Sequence, residues 1–368
     1  MGNLVSHIKN FFAPLPKVKP LNGLVGWQKA DALFHNLVAE KKVPGLAVSI
    51  LEDGQTILEK GYGFANLEKR KKVHPKRTVF RIASISKCIT ALALGKMVED
   101  GVLDLDESFY TYVPYFPQKK YDFTLRQLAS HTAGIRGYRG KEYALNQDLS
   151  IKEGIEVFKD DPLFFEPGTS YLYNSFDFVL LSLAMQEASG IPFQQYVDER
   201  ILMPLGLEST FPPPENVILS TQKRSGQKAE NIAQFYTKRA LCFTKAVEVN
   251  NTYKLAGGGY LSTCEDIGKL GQAIMEHKLL KEATYEQLLT STIIDGKPTY
   301  YGLGFQVSQD AKGRPFVGHV GNSVGAYTNL FVYPKHKKVI AVLMNCTDPK
   351  VQPILDEAIN ALFEHPTV

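Results

Sequence analysis

Trp27, Ala30, Leu33, Phe34, Leu37 and Val38 recur at three- and four-residue intervals and stop before Val43-Pro44-Gly45, the pattern of an amphipathic helix with a sharp end. An extended lead-in over residues 14–20, bounded by prolines, precedes it. Residues 46–52 and 55–60 flank Asp53-Gly54, a dipeptide that accepts the positive φ angles of a two-residue hairpin, so two antiparallel strands are predicted next. Near the other end, residues 326–333 and 338–344 are apolar and β-branched, and Val351, Ile354, Leu355, Ala358, Ile359 and Leu362 form the stripe of a closing helix. Both ends therefore predict sheet plus covering helix.

Between roughly Leu105 and Asn250 the periodicity is mostly helical, as over residues 178–188, and strand signals are few. This predicts an α/β (α+β) chain with an N-terminal arm over 1–21, a discontinuous sheet domain over 22–104 and 251–368, and a mainly helical insertion over 105–250. No internal repeat or low-complexity tract interrupts it.

With 368 residues, 44% of them hydrophobic, the chain can bury a large core. A net charge of +4 spread along the sequence is too mild for a nucleic-acid partner, and the basic run from Lys69 to Arg77 reads as a solvated loop. Cys88, Cys242, Cys264 and Cys346 lie far apart without ligand spacing, so neither a metal site nor a disulfide framework is expected. No apolar stretch is long enough to span a bilayer and no secretion signal is evident, so a cytoplasmic setting is expected. Met1-Gly2-Asn3-Leu4-Val5-Ser6 fits a myristoylation pattern, with Leu4, Ile8, Phe11 and Phe12 at helical spacing behind it; a short arm packing on the domain is the simpler expectation.

The chemistry concentrates at Phe80-Arg81-Ile82-Ala83-Ser84-Ile85-Ser86-Lys87, which leads into an apolar helix carrying Ile89, Leu92 and Met97 and ending at Asp100-Gly101. Ser84 falls at the helix start and Lys87 one turn later on the same face, where a desolvated amine can take the hydroxyl proton. The helix N-terminus favours negative charge developing beside the serine. An S-x-x-K pair alone is weak, because a capping serine and a surface lysine give the same spacing. Cys88 reads as helix packing, and His131, after a helix over residues 124–130, as a structural residue satisfying buried carbonyls. Gly321-Asn322-Ser323-Val324-Gly325 has the letters of a nucleophile elbow, but the residues after it alternate as a strand, and an elbow needs a helix there.

Val43-Pro44-Gly45, Gly61-Tyr62-Gly63, the Phe80 to Lys87 run, His131-Thr132-Ala133-Gly134, Pro204-Leu205-Gly206-Leu207, Ala256-Gly257-Gly258-Gly259 and His319-Val320-Gly321 occur in one order that resembles the serine β-lactamase-like family. That family includes class C β-lactamases, penicillin-binding proteins, D-aminopeptidases and family VIII esterases. Asp161-Pro162-Leu163-Phe164-Phe165 and Asn251-Thr252-Tyr253-Lys254 most resemble its mitochondrial members in animals. The resemblance implies the β-lactamase/transpeptidase-like fold and acyl transfer through Ser84, on esters, small peptide amides or β-lactams, without a metal or organic cofactor. It assigns Lys87 as base and Tyr173, of Tyr173-Asn174-Ser175, as the phenol exchanging a proton with the nucleophile or leaving group. It puts the oxyanion hole at the backbone N–H groups of Ser84 and Asn322. His319 is expected to line the pocket or polarise a substrate carboxylate, and Gly321 to let substrate approach the strand. Ser175 stands where the pattern has asparagine, which removes a partner for a substrate amide. A fold kept for binding, with little turnover, is the alternative, and a homo-oligomer is compatible with either.

Overall fold

A computed structural model describes residues 17–213, 229–240 and 242–364; the Met1 to Ser6 motif and the pattern behind it lie outside these. Seven strands form one antiparallel sheet: β1 (Gly45–Glu52), β2 (Gln55–Asn66), β3 (Lys71–Lys72), β4 (Gln306–Gln309), β5 (Pro315–Ser323), β6 (Ala326–Tyr333) and β7 (Lys338–Met344), in the order β4-β5-β6-β7-β1-β2-β3. The β1–β7 seam, with Leu46 opposite Met344 and Ile50 opposite Ile340, joins the two ends of the chain. Asp53 and Gly54 both have positive φ, 48° and 75°, as the hairpin between β1 and β2 requires.

Alternation sorts these strands between two cores. Leu46, Val48, Ile50, Ile340, Val342 and Met344 pack beneath α1 (Gly26–Ala39) and α5 (Gln352–Ala361), the first and last helices predicted from the sequence. Leu33, Phe34, Leu37, Leu355 and Ile359 complete that layer, whereas Trp27, in the first turn of α1, is 50% exposed. On the opposite face, Ala47, Leu51, Val339, Ala341 and Leu343 join a larger core shared with α2 (Ser86–Glu99), α3 (Phe176–Ser189) and α4 (Cys264–Met275). Helix α4 comes close to the sheet because Gly271 faces it: a Cβ there would lie 2.3 Å from Val339 Cγ1.

The central stretch supplies α3 and several shorter helical segments, together with two short strands, Tyr236–Lys238 and Phe243–Lys245, that pair in a small sheet with Cys346–Thr347. The helix expected over residues 124–130 spans Leu125–Ala129, with Thr124 and Gln127 forming a reciprocal capping box. Residues after Gly325 continue as strand β6, so Ser323 sits in a strand-turn-strand hairpin and not in a nucleophile elbow. Among the described residues no helix is long and apolar enough to cross a membrane.

Candidate active site

The segment Phe80–Arg81 pairs with Leu261–Ser262 and delivers the chain into a single 3₁₀ turn, Ala83–Ile85, directly before α2. Ser84 therefore lies in that turn, two residues ahead of the first residue of the α-helix. Ala83 holds a left-handed φ of 48°, uncommon for a residue with a Cβ, and the surrounding contacts keep it there. Thr328 Oγ1 donates to the Ile82 carbonyl at 2.9 Å, and β5 lies against the turn at Gly321. A Cβ on Gly321 would stand 2.3 Å from Thr328 Oγ1 and 2.9 Å from both Ala83 Cβ and the Ile82 carbonyl oxygen. The missing side chain of Gly321 therefore admits the serine turn to the strand.

Ser84 Oγ is held from two sides. The Tyr173 hydroxyl donates to it at 2.6 Å, and Lys87 Nζ stands 3.3 Å away. Lys87 is fully buried and also donates to the Gly257 carbonyl at 2.6 Å, with the Tyr173 and Phe178 rings 4.8 and 5.2 Å from its nitrogen. Burial disfavours its ammonium form and lowers its pKa to about 7, against the opposing field of Asp177. Desolvation raises the Tyr173 hydroxyl above the ordinary phenol range, although 40% of the residue is exposed. At neutral pH the amine is thus the group able to accept a proton, and the phenol the group able to donate one.

The glycine run admits this arrangement sterically. A Cβ on Gly257 would stand 3.2 Å from the Ser175 carbonyl oxygen at the start of α3, and one on Gly259 would sit 2.6 Å from the Asn251 carbonyl oxygen. Ser84, Ser175 and Asn322 line one cleft of about 330 Å³ together with Tyr138, Lys254 and Gly258. Ser323 lines it too, with no base beside its hydroxyl, which has no hydrogen-bond partner among the described residues.

His319 departs from expectation. It is buried behind Tyr173, its Nδ1–H donates to the Val320 carbonyl at 2.7 Å and its Nε2 accepts from the Tyr301 hydroxyl at 3.0 Å. Burial, aided by the charge of Lys87, pushes its pKa down to about 3. A neutral imidazole with both nitrogens engaged neither lines the cleft nor supplies charge to a carboxylate. The partner expected for His131 is corrected as well: instead of capping carbonyls, its Nδ1 lies 2.7 Å from Asp177 Oδ2. Burial pushes this imidazole well below its usual pKa and the Asp177 carboxyl well above. The His131 ring stands 4.6 Å from that of Tyr173, and Asn174 donates to Asp177 at 2.6 Å, so a buried polar layer backs the phenol.

Asp177 and Tyr301 had no part in the site as read from the sequence, and Lys254 was marked there only as part of the Asn251-Thr252-Tyr253-Lys254 motif. Asp177 had one local signal, its i,i+3 relation to Asn174 at a helix start; Tyr301 and the Gly257 carbonyl had none, since only the fold brings them to Lys87 and Tyr173.

A family model described as Beta-lactamase matches residues 30–363. The human "serine beta-lactamase-like protein LACTB, mitochondrial" is 29% identical, with 82% of this chain and 71% of that protein covered. The solved structure of the octameric penicillin-binding protein homologue from Pyrococcus abyssi superposes with a TM-score of 0.77 at 27% identity, covering 90% of this chain and 76% of that one. The D-amino acid amidase from Ochrobactrum anthropi SV3 shares the fold, with a TM-score of 0.76 at 20% identity over 90% of this chain and 97% of that one. With its family match running from the first helix to the last and its sheet and helices shared with these structures, the chain belongs to the Beta-lactamase family and is a serine hydrolase.

Proposed function

We propose that the chain hydrolyses acyl compounds in two steps through an acyl-enzyme on Ser84. The observation that carries this is the Ser84 hydroxyl set between a buried amine at 3.3 Å and a donating phenol at 2.6 Å. Neutral Lys87 takes the Ser84 proton as Oγ attacks the substrate carbonyl. Negative charge then moves to the carbonyl oxygen, where the N–H groups of Ser84 and Asn322 would receive it; both residues line the cleft. Tyr173 passes a proton to the leaving group as the tetrahedral intermediate collapses, and a water activated by the same pair releases the acid.

Esters, small peptide amides and β-lactams are the substrate classes this site would take. A fold kept for binding alone gives no reason to bury Lys87 with its ammonium form disfavoured, which costs stability. The test is labelling with a fluorophosphonate, located by mass spectrometry. Ser84→Ala should abolish both labelling and ester hydrolysis, while Ser323→Ala retains most of each; the reverse pattern would overturn the assignment.

The four cysteines are free, which fits a cytoplasmic setting, and the octameric relative supports self-association of this chain.

A further inference from the structure

Besides Lys87 a further buried lysine, Lys254, lies in the wall of the cleft that Ser84 lines, and the two-step reaction leaves it without a task. Only 5% of it is exposed. Its Nζ donates to the Tyr143 carbonyl at 2.9 Å and rests 5.0 Å from the centre of the Tyr138 ring. Tyr138, Tyr143 and Lys254 line the cavity that Ser84 lines. Among the described residues no carboxylate stands within ion-pair distance of it. Asp348, the acid of that lining, is paired with Lys350, and Glu142 is held by Arg136. A cation taken out of water against one carbonyl and the Tyr138 and Tyr253 rings, the latter 5.5 Å away, is costly unless an anion joins it. Burial, with the charge of Arg81, lowers its pKa only to about 8, so at neutral pH it is still mostly charged.

We propose that Lys254 binds a carboxylate carried by the acyl part of the substrate, making this a hydrolase for acid-bearing acyl groups. The inference rests on the acyl-hydrolase reading above for its reaction, but not for its binding. With Ser84 and Lys254 in one cavity of about 330 Å³, a short dicarboxylic monoester can place its scissile carbonyl at Ser84 and its free acid at Lys254. The ammonium then exchanges an incomplete shell for a charge-assisted hydrogen bond, with the two donors left over from Tyr143 available to it. The role expected of His319 toward a substrate carboxylate would pass to this lysine, the buried residue in the cleft wall that is still a cation.

The probes are p-nitrophenyl hydrogen adipate and its neutral counterpart, methyl p-nitrophenyl adipate. Calorimetric titration into Ser84→Ala protein, where neither should be cleaved, is expected to show the acid binding about tenfold or more tighter than the methyl ester. Adding Lys254→Gln, which keeps an N–H for the Tyr143 carbonyl, should reduce that preference to within about twofold. The ratio of kcat/KM for the two esters, measured with Ser84 intact, should follow the same order. Equal binding of the two esters to Ser84→Ala protein, or a preference that survives Lys254→Gln, would overturn the proposal; the first comparison does not depend on how the glutamine variant folds. Failure of wild-type Ser84 to label with a fluorophosphonate would instead sink the acyl-hydrolase reading while leaving the binding comparison to stand.

Discussion

Lys87 and Lys254 show how one residue type takes different work from different surroundings. Lys87, wholly enclosed by two aromatic rings and the Gly257 carbonyl, has its pKa lowered to about 7 and can be neutral beside Ser84. The sign of the pH dependence follows: protonation of Lys87 below its pKa removes the proton acceptor. We therefore expect kcat/KM for a neutral ester to fall about tenfold per pH unit below roughly pH 7 and to level off above it, with no alkaline loss from Tyr173 until beyond the ordinary phenol range. Lys87→Arg should be as damaging as Lys87→Ala, about 10²-fold or more in kcat/KM, because guanidinium stays protonated. A flat profile from about pH 6 to 9, or a nearly active arginine variant, would remove Lys87 from the role of base. Ser84 and Lys87 were legible as a pair because three residues along a helix is a local relation; the desolvation that sets the amine's state was not, since it comes from Tyr173, Phe178 and Gly257.

At the scale of elements, the site depends on backbones brought closer than side chains would allow. Gly321 admits β5 to the Ala83–Ile85 turn, and Gly271 admits α4 to the sheet. Gly321→Ala should push the serine turn away from the strand. We expect about 10²-fold slower ester hydrolysis and a matching drop in fluorophosphonate labelling, since small misplacements of reacting groups carry large rate costs. Gly271→Val should leave the serine turn alone and cost about 1 to 3 kcal/mol in urea unfolding through overpacking against Val339. A Gly321→Ala protein with unchanged labelling would show that this contact does not position Ser84. The strands and helices themselves were readable from hydrophobic period, with the hairpin at Asp53-Gly54 and the closing helix at their expected places. Their close approaches were not, because a glycine in the sequence does not reveal which backbone will face it.

Across the whole molecule, the larger core runs without interruption from the sheet residues Ala47, Leu51 and Leu343 to Leu128, Phe176 and Phe193 in the central stretch. Sheet strands and central helices that share one core should lose it together. We expect a single urea transition, coincident by far-ultraviolet circular dichroism and by intrinsic tyrosine and tryptophan fluorescence. Two resolved transitions would show that the inserted stretch unfolds as an independent unit.

What the sequence determined by itself was set by short-range relations and by ordered motifs. It specified alternating and helical periods, the turn chemistry at Asp53-Gly54, the i,i+3 spacing of Ser84 and Lys87, and a run of motifs sufficient for the family. The tertiary structure decided everything that depends on contacts between distant segments. It brought Tyr173 to within 2.6 Å of Ser84 Oγ, turned His319 inward to a tyrosine, and paired His131 with Asp177 in place of backbone carbonyls. It also enclosed Lys254 in the cleft wall without an acid at ion-pair distance among the described residues. The physical reason is common to all of these: a side chain's protonation and partners follow from which water it loses and which groups replace it, and those groups are chosen by packing across the chain.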